Sequence, residues 1–378
     1  MTPIPLLISA GEVSGDMYAA RLATALQERL PNLALFGMGG PQMRAAGVDV
    51  VTDYSEVSVV GITEILSHLP SLIRAMRHLV AEAKRRKPRF AILTDFPGFH
   101  LRLARKLRPH GTKNIYFICP QFWAWRPWRV RVVRQRFAQA LCIFPFEEAF
   151  FAKAGVPTKF IGHPLVGSVQ PTQSRDDFFR QYNLDSQFPL IAILPGSRQA
   201  ELAQHMPVIR QAVLRIAKEK PVQFVVAAAA PDHVAQLQSG WDSSLNLRVI
   251  EGQTYDVLAS ADAAIVSSGT ATVEAALLDA PMVVVYRVTP LTALLAKPLV
   301  RTKFFSMVNL IAERRVVPEL IQSEFTPDRV AAETLRLLND PQAREQLRAG
   351  LAEVRQRLGP PGAIERAADA IASLIQTS

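Results

Sequence analysis

Short apolar runs alternate with amphipathic stretches along most of the chain, and this alternation constrains the possible fold more than any other feature of the sequence. Segments with helical periodicity, such as residues 16–30 and 101–108, separate apolar runs that are too short to be helices. Consecutive strands joined by helices form parallel sheets, because a parallel pair needs a long crossover connection. In the first half of the chain, the pattern predicts buried strands at residues 4–9, 34–37, 90–94, 115–119, 141–144 and 160–161.

The pattern begins again after a turn-rich stretch, residues 162–174, which contains Pro164, Gly167 and Pro171. Two strand sets joined by a linker predict an α/β protein of two Rossmann-like domains with a cleft between them, which suits a chain of 378 residues. We expect an N-terminal domain at 1–167, a C-terminal domain at 168–355, and a final helix within 356–378. The second set of strands is predicted at 190–194, 223–228, 247–250, 263–267 and 282–286, and the closing helices at 341–358 and 362–375.

Composition narrows the class of protein. A hydrophobic content of 49% and a charged content of 20% are typical of a folded globular protein. No apolar stretch of about 18 residues lacks charge, so we predict no transmembrane helix. The first ten residues lack the pattern of a secretory signal, and Cys119 and Cys142 lack the spacing of metal ligands. These observations predict a reducing, cytoplasmic location.

Positive charge is concentrated in one segment. The formal net charge is +10, and residues 71–136 contain 17 lysines and arginines against two acids, Glu82 and Asp95. Such a field attracts phospholipid headgroups, nucleic acid or phosphorylated substrates. A solvated helix face that only aids solubility is the alternative. We do not expect nucleic acid as a partner, because the sequence contains no nucleic-acid-binding motif.

Polar residues follow two of the predicted strands in the first half. Asp95 ends one of them, and a carboxylate at the end of a buried strand among apolar residues is suited to proton abstraction. A turn or N-cap aspartate would show the same pattern. After the first strand, two glycines allow the backbone to approach a ligand, although a capped turn without a ligand fits equally well. That turn, which is not a dinucleotide fingerprint, reads Gly11-Glu12-Val13-Ser14-Gly15-Asp16.

Two strand ends in the second half are suited to a nucleotide diphosphate. Leu194-Pro195-Gly196-Ser197-Arg198 opens a helix whose free N–H groups favour an anion, and Arg198 offers a planar fork to phosphate oxygens. A solvent-facing arginine is the alternative. The run 267–274 also passes from a strand into a helix, so its hydroxyl and N–H groups would face a diphosphate while Glu274 accepts from ribose hydroxyls. A capping box explains the same residues without a ligand.

An apolar stripe precedes a basic cluster at residues 84–87. A helix of this kind is able to enter an anionic membrane or contact acyl chains, whereas a core-facing stripe has the same spacing, and Pro70 interrupts it. The aromatic and arginine residues of 122–129 allow headgroup anchoring or sugar stacking, or simply buried tryptophans beside surface arginines. The stripe consists of Ile62, Ile65, Leu66, Leu69, Leu72, Ile73, Met76, Leu79 and Val80.

These motifs together resemble the lipid-A-disaccharide synthase family, in the same order and from the first strand to about Gln322. The resemblance implies the GT-B fold, with the acceptor on the first domain and the UDP-sugar mostly on the second. The same resemblance implies that the final helix within 356–378 packs back on the first domain or on a partner chain. It also implies a peripheral protein on the cytoplasmic face of the inner membrane of a Gram-negative bacterium. The matching runs are 11–16, 94–99, Gln121-Phe122-Trp123-Ala124-Trp125-Arg126, Phe160-Ile161-Gly162-His163, 194–198, 268–274 and Val308-Asn309-Leu310.

The implied reaction joins UDP-2,3-diacylglucosamine to 2,3-diacylglucosamine 1-phosphate, giving a β(1→6) disaccharide of lipid A biosynthesis and UDP. The absence of an Asp-x-Asp triplet and of a metal-ligand cluster predicts a transfer that needs neither a metal nor another cofactor. A homodimer is compatible with the sequence. A transferase of the peptidoglycan lipid-linked disaccharide and a UDP-sugar 2-epimerase share the fold and are the alternatives, with nucleic-acid binding a remote one.

Carried over by position, the resemblance makes Asp95 the general base and Arg198 the arginine beside the diphosphate. One departure is that some members have an aspartate and an asparagine where this chain has Gly98 and His100, so a role for a second carboxylate does not transfer. The UDP pocket would comprise Ser268, Gly269, Thr270, Glu274 and Asn309, and we also place Glu12, Ser14, Gly15 and Ser197 in substrate binding.

Overall fold

The computed structural model describes residues 3–57, 69–296 and 302–377. They form two compact units: unit 1 comprises Met1–Pro164 with Gly359–Ser378, and unit 2 comprises Leu165–Leu358. Each unit contains a parallel β-sheet with helical connections. The predicted α/β class with two Rossmann-like units is confirmed. None of the described helices is both long and apolar enough to cross a bilayer.

In the described part of unit 1, a seven-stranded sheet has the order β3-β2-β1-β4-β5-β6-β7. The prediction missed β3, because Asp49 and Asp53 interrupt its apolar pattern. The elements are β1 Ile4–Ala10, α1 Val13–Arg29, β2 Leu33–Gly39, α2 Pro41–Ala45, β3 Asp49–Asp53, α3 Leu69–Arg86, β4 Phe90–Thr94, α4 Pro97–Leu107, β5 Lys113–Phe117, α5 Phe122–Trp125, α6 Val130–Arg136, β6 Gln139–Cys142, α7 Pro145–Lys153 and β7 Thr158–Phe160.

In the described part of unit 2, a six-stranded sheet has the order β10-β9-β8-β11-β12-β13. β8 and β11 are buried along their whole length, as expected of parallel strands covered on both faces. The elements are α8 Arg175–Gln181, β8 Leu190–Leu194, α9 Gln199–Glu219, β9 Gln223–Ala228, α10 Val234–Gln238, β10 Leu247–Glu251, α11 Thr254–Ala259, β11 Ala263–Ser267, α12 Thr270–Leu277, β12 Met282–Tyr286, α13 Pro290–Ala296, α14 Met307–Ala312, β13 Glu319–Ile321, α15 Pro327–Asn339 and α16 Pro341–Arg357.

Each sheet has one point at which the strand order reverses. In unit 1 it lies between β1 and β4, and in unit 2 between β8 and β11. The connections leave these neighbouring strands in opposite directions, which opens a crevice at their carboxyl ends. Asp95 directly follows β4, and the runs 194–198 and 267–274 lie at the ends of β8 and β11. The fold therefore brings the predicted polar residues to its two natural ligand-binding positions.

The last helix, α17 (Ala363–Gln376), belongs to unit 1. It packs against α1, where the Arg29 Nε atom lies 2.6 Å from Asp369 Oδ1. Arg366 donates from Nε to the Ile161 carbonyl at 2.8 Å. The buried face of α17 includes Ala367 and Ile371. The chain thus leaves unit 1 after β7 and returns to it after α16.

The apolar stripe divides between core and surface. Met76 and Leu79 lie in the hydrophobic core of unit 1, so Met76 is a core residue and not part of an exposed surface. Leu72 is half-buried against the same core. Leu69 and Ile73 are 48% and 43% exposed. Ile62, Ile65 and Leu66 lie outside the described residues.

Candidate active site

A cavity of about 550 Å³ lies at the carboxyl ends of β8, β9, β10 and β11 in unit 2. Both predicted nucleotide-binding runs line it. The rest of its lining was not predicted from the sequence, because alanines and a short polar segment match no ligand-binding motif. The lining residues outside those two runs are Thr172, Glu201, Ala227, Ala228, Ala229, Gly252, Gln253, Thr254, Tyr255 and Asp256.

The start of α12 is suited to an anion. Gly269 precedes the helix with φ +155° and ψ −158°, a conformation that is essentially restricted to glycine. A Cβ atom at Gly269 would meet no atom within 4 Å, so the backbone here faces open space. No side chain caps this helix, and the capping box considered from the sequence is not formed. Thr270 and Ala271 line the cavity, and within the described residues no side chain accepts from their N–H groups, which leaves both for an anion.

Glu274 lines the same cavity one turn into α12. Tyr255, on the opposite wall, donates a hydrogen bond from its hydroxyl to Glu274 Oε1 at 3.3 Å. Burial raises the pKa of the Glu274 carboxyl, and the Tyr255 hydrogen bond opposes that shift. No other donor among the described residues contacts this carboxylate, so Oε2 keeps its lone pairs for a ligand hydroxyl.

Ser268 occupies the end of β11, between the strand and the helix start. Its hydroxyl donates to the Phe305 carbonyl at 2.9 Å, so a ligand would find it as an acceptor or would have to displace that contact. The position of Phe305 is fixed in turn by Glu319, whose carboxylate accepts from the Phe305 N–H at 3.1 Å. The same carboxylate accepts from the backbone N–H and the hydroxyl of Ser306.

Asn309 does not line the cavity, so the expectation that it contacts UDP directly is corrected. Its side chain is fully buried. Nδ2 donates to the Val317 carbonyl at 2.9 Å and to Glu319 Oε1 at 2.8 Å. Oδ1 accepts from the N–H groups of Val316 and Val317. With these bonds the amide is saturated by the protein, and Asn309 supports the loop that holds Ser268.

The donors predicted to bind phosphate at the start of α9 already hold a carboxylate. Glu201 Oε2 accepts from the N–H groups of Ser197 at 3.1 Å and Arg198 at 3.4 Å. Arg198 Nη1 lies 3.3 Å from Glu201 Oε1, although the arginine side chain is 69% exposed. All three residues line the cavity. A diphosphate would therefore compete with Glu201 for these donors, which sequence reasoning did not foresee.

In unit 1, the turn after β1 combines closely packed glycines with exposed polar side chains. A Cβ atom at Gly11 would lie 2.2 Å from Phe96 Cδ1, so only glycine allows this contact with the turn after β4. Glu12 and Ser14 are exposed and remain available to a ligand. Gly15 is buried, and a Cβ there would contact Ala10 at 3.4 Å.

Asp16 does not cap α1. Its carboxylate accepts from the N–H groups of Gly40 at 2.6 Å, Gln42 at 3.0 Å and Met43 at 3.3 Å. Asp16 therefore caps α2 and closes the glycine loop that follows β2. The residue that precedes α1 is Glu12, whose side chain makes no capping hydrogen bond.

Asp95 stands at the crevice of unit 1 in a constrained turn. Asp95 and Phe96 have φ angles of +47° and +44°, in the left-handed region that non-glycine residues seldom adopt. Burial and then the charge of Glu12 raise the pKa of the Asp95 carboxyl to about 7. A carboxylate with such a pKa is able to accept a proton near neutral pH and release it again, as a general base must.

Glu147 is a second buried carboxyl group in unit 1, with a pKa of about 8 that is raised chiefly by burial. Trp123 donates from its indole Nε1 to Oε1 at 3.1 Å, and the N–H groups of Ile143 and Phe144 donate to Oε2. Glu147 therefore fixes α5 to the start of α7. In the same aromatic segment, Trp123 is half-buried and Trp128 is 60% exposed, so the two tryptophans differ in their exposure to solvent.

A family model described as lipid-A-disaccharide synthetase matches residues 6–372. The chain belongs to this family. A lipid-A-disaccharide synthase from Solibacter usitatus is 47% identical over 372 residues, which cover 98% of this chain and 97% of the relative. One from Myxococcus xanthus is 42% identical over 375 residues, covering 99% and 98%. The solved structure of Acinetobacter baumannii MurG is 15% identical, covers 100% of both chains and has a TM-score of 0.56, which shows the shared GT-B fold.

Membership of the lipid-A-disaccharide synthetase family confirms the resemblance drawn from the sequence runs and makes the chain a glycosyltransferase. The GT-B fold is confirmed as well. The alternative enzymes share that fold, but the matched family and the curated relatives do not favour them. Among the residues that the structure describes, no group of three His, Cys, Asp or Glu side chains is arranged to hold a metal ion.

Proposed function

We propose that this chain transfers a diacylglucosamine unit from UDP-2,3-diacylglucosamine to the 6-hydroxyl of 2,3-diacylglucosamine 1-phosphate. The products are the β(1→6)-linked disaccharide 1-phosphate and UDP. The observation that carries the proposal is the cavity of unit 2, where the open start of α12, Arg198 and Glu274 surround one space. Relatives of this chain that are named lipid-A-disaccharide synthase support the assignment of substrates.

Unit 2 would hold the donor. The N–H groups at Gly269 and Thr270 would bind the diphosphate, which becomes more negative as the sugar departs. The Arg198 guanidinium would turn from Glu201 to the phosphate oxygens, since the carboxylate and the diphosphate compete for it. Glu274, already oriented by Tyr255, would accept from the ribose hydroxyls.

Unit 1 would supply the base. Asp95 would take the proton of the acceptor 6-hydroxyl while that oxygen attacks the anomeric carbon of the donor. One displacement of this kind inverts the anomeric centre, and the bond to UDP breaks as the new glycosidic bond forms. Because burial raises the pKa of Asp95 to about 7, its carboxylate is a stronger base than an exposed aspartate and exchanges its proton near neutral pH.

An anionic membrane surface would present the acylated substrates. The first turns of α3 expose Leu69 and Ile73 together with Arg74 and Arg77. Apolar side chains beside arginines on one short helix segment are typical of a surface that contacts both acyl chains and headgroups. We accordingly place the enzyme on the cytoplasmic face of the inner membrane, as a peripheral protein.

The decisive experiment is turnover of UDP-2,3-diacylglucosamine in detergent micelles with and without the monosaccharide phosphate, with products identified by mass spectrometry. The proposal requires disaccharide and UDP in equal amounts, and only when the acceptor is present. Conversion of the UDP-sugar in the absence of acceptor would instead identify an epimerase.

Asp95→Ala tests the base. It should lower turnover by about 10² or more and leave the dissociation constant of UDP almost unchanged, because the cavity of unit 2 is untouched. Asp369→Ala is the matched control, since it removes a carboxylate of unit 1 that is 61% exposed on α17. Normal turnover in Asp95→Ala would show that another group takes the proton.

A further inference from the structure

The main-chain carbonyl oxygen of Asp95 accepts two hydrogen bonds from side chains. The Asp95 carbonyl accepts a hydrogen bond from His100 Nδ1 at 2.9 Å and another from the Tyr116 hydroxyl at 3.2 Å. The Asp95 N–H donates to the Phe117 carbonyl at 3.2 Å. His100 lies on α4 and Tyr116 on β5, so two different elements fix the residue that directly follows β4.

The chemistry of the partners determines which nitrogen of His100 carries the proton. A carbonyl oxygen only accepts, so Nδ1 must be protonated. Nε2 lies 2.8 Å from the hydroxyl of Ser9. Burial lowers the pKa of His100 to about 4, so the ring is neutral near pH 7 and Nε2 accepts from Ser9. His100 therefore links β1 to the turn after β4 with both ring nitrogens in use.

His100 has no exposed surface and is surrounded by the rings of Phe96 and Phe99, whose centroids lie 5.8 Å from its own. It is thus closed off from solvent, which excludes direct contact with substrate in this arrangement. The turn that it supports is the left-handed pair Asp95–Phe96, a conformation that persists only where surrounding contacts enforce it.

We propose that His100 is a positioning residue, which sets the direction of the Asp95 carboxylate by anchoring the Asp95 carbonyl through Nδ1. The inference rests on the proposed role of Asp95 as the base. The Ser9 contact orients the ring, and the Tyr116 hydroxyl shares the anchoring.

Two amide substitutions separate the contacts of His100. In His100→Asn, the amide nitrogen is attached to Cγ as Nδ1 is, so it is able to keep the bond to the Asp95 carbonyl and loses Ser9. In His100→Gln, the amide lies one bond further out, so it reaches towards Ser9 and loses the Asp95 carbonyl. The two variants place an amide of the same chemistry at the same buried site, which makes each the control for the other.

The experiment measures kcat, the KM of the UDP-sugar and the thermal midpoint for both variants and for Tyr116→Phe. We expect His100→Asn to retain kcat within about threefold, and His100→Gln to lose about tenfold or more, because small misplacements of a reacting group are costly. The KM of the UDP-sugar should change little in either variant, since the donor site lies in unit 2. Adding Tyr116→Phe to His100→Gln should lower kcat further and have less effect in His100→Asn.

A merely structural histidine would give kcat values that follow the thermal midpoints, or equal losses in the two amide variants, and either result would overturn the proposal. Preserved kcat in His100→Gln would do the same. Asp95→Asn, assayed in parallel, separates this failure from failure of the proposed function. Normal turnover in Asp95→Asn would refute both the role of Asp95 as the base and the positioning role of His100. An inactive Asp95→Asn together with an unaffected His100→Gln would refute only the positioning role of His100.

Discussion

Replacing Asp95 with asparagine should stabilise unit 1 at alkaline pH while it abolishes turnover. The carboxyl has a pKa of about 7 in the folded protein, raised first by burial and then by Glu12. In an unfolded chain an aspartate has a pKa of about 3.9. Between these values the folded state binds more protons than the unfolded state, so the free energy of unfolding falls as the pH rises.

The magnitude follows from the difference between the two pKa values. About three pKa units correspond to about 4 kcal/mol at most, because one unit is worth 1.36 kcal/mol. This stability is present below pH 3.9, is lost progressively as the pH rises, and is fully lost above about pH 8. Between pH 5 and pH 8.5 the loss is about 3 kcal/mol as an upper bound. Asp95→Asn carries no charge and should escape this loss.

The assay is urea unfolding followed by tryptophan fluorescence at pH 5 and pH 8.5. A Trp241→Phe background restricts the signal to unit 1, because the other three of the four tryptophans belong to that unit. Asp369→Asn serves as the control, since it removes a carboxylate of the same unit that is 61% exposed. If the stability gained by Asp95→Asn were the same at both pH values, the desolvated carboxylate inferred from the structure would be wrong.

Three further predictions concern the pH profile, nucleotide affinity and the support of the cavity. The pH profile of kcat/KM should rise through an acid limb near pH 7 that is set by the ionisation of Asp95. Glu12→Gln removes a like charge and should move that limb to lower pH, and an unmoved limb would contradict the assignment of the limb to Asp95. Glu201→Gln should bind UDP about fivefold more tightly in calorimetric titration, since repulsion between two unit charges about 4 Å apart costs about 1 kcal/mol in water. Weaker binding would show that the Glu201 carboxylate contributes to UDP binding. Asn309→Ala should lower the free energy of unfolding of unit 2 by about 1–3 kcal/mol, because it leaves buried groups unpaired, and it should weaken UDP binding only indirectly, through Ser268. A loss of UDP affinity without a loss of stability would show that Asn309 contacts UDP directly.

Asp95 and Glu147 show why a raised pKa does not by itself identify a catalytic group. Burial raises both pKa values. Both oxygens of Glu147 accept hydrogen bonds from protein donors, so the residue works as a helix cap and an anchor for Trp123. Asp95 stands at the crevice of the sheet, where a substrate hydroxyl is able to approach. The neighbours of each carboxylate, and not its acidity, distinguish the roles.

Local sequence was sufficient for five of the buried strands, whereas it misplaced β5 and β6 by two residues and missed β13. The strands predicted at 90–94, 190–194, 223–228, 263–267 and 282–286 have the same bounds in the structure. A parallel strand under helices must be apolar along its whole length, and its end is marked by the first polar or small residues. For the same reason the sequence located the turns that carry Asp95, Arg198 and Gly269.

Tertiary structure decided which polar side chains at those turns are free and which are already used. Asp16 caps a helix that begins 25 residues later, and Asn309 is saturated by residues 316–319. Glu201 accepts hydrogen bonds from the N–H groups that were predicted to bind a phosphate. The segment 252–256, which includes the start of α11, lines the cavity only because β10 is the outer neighbour of β9 in the sheet. A hydrogen bond depends on distance and direction in space, and the spacing of residues along the chain specifies neither for partners brought together by the fold.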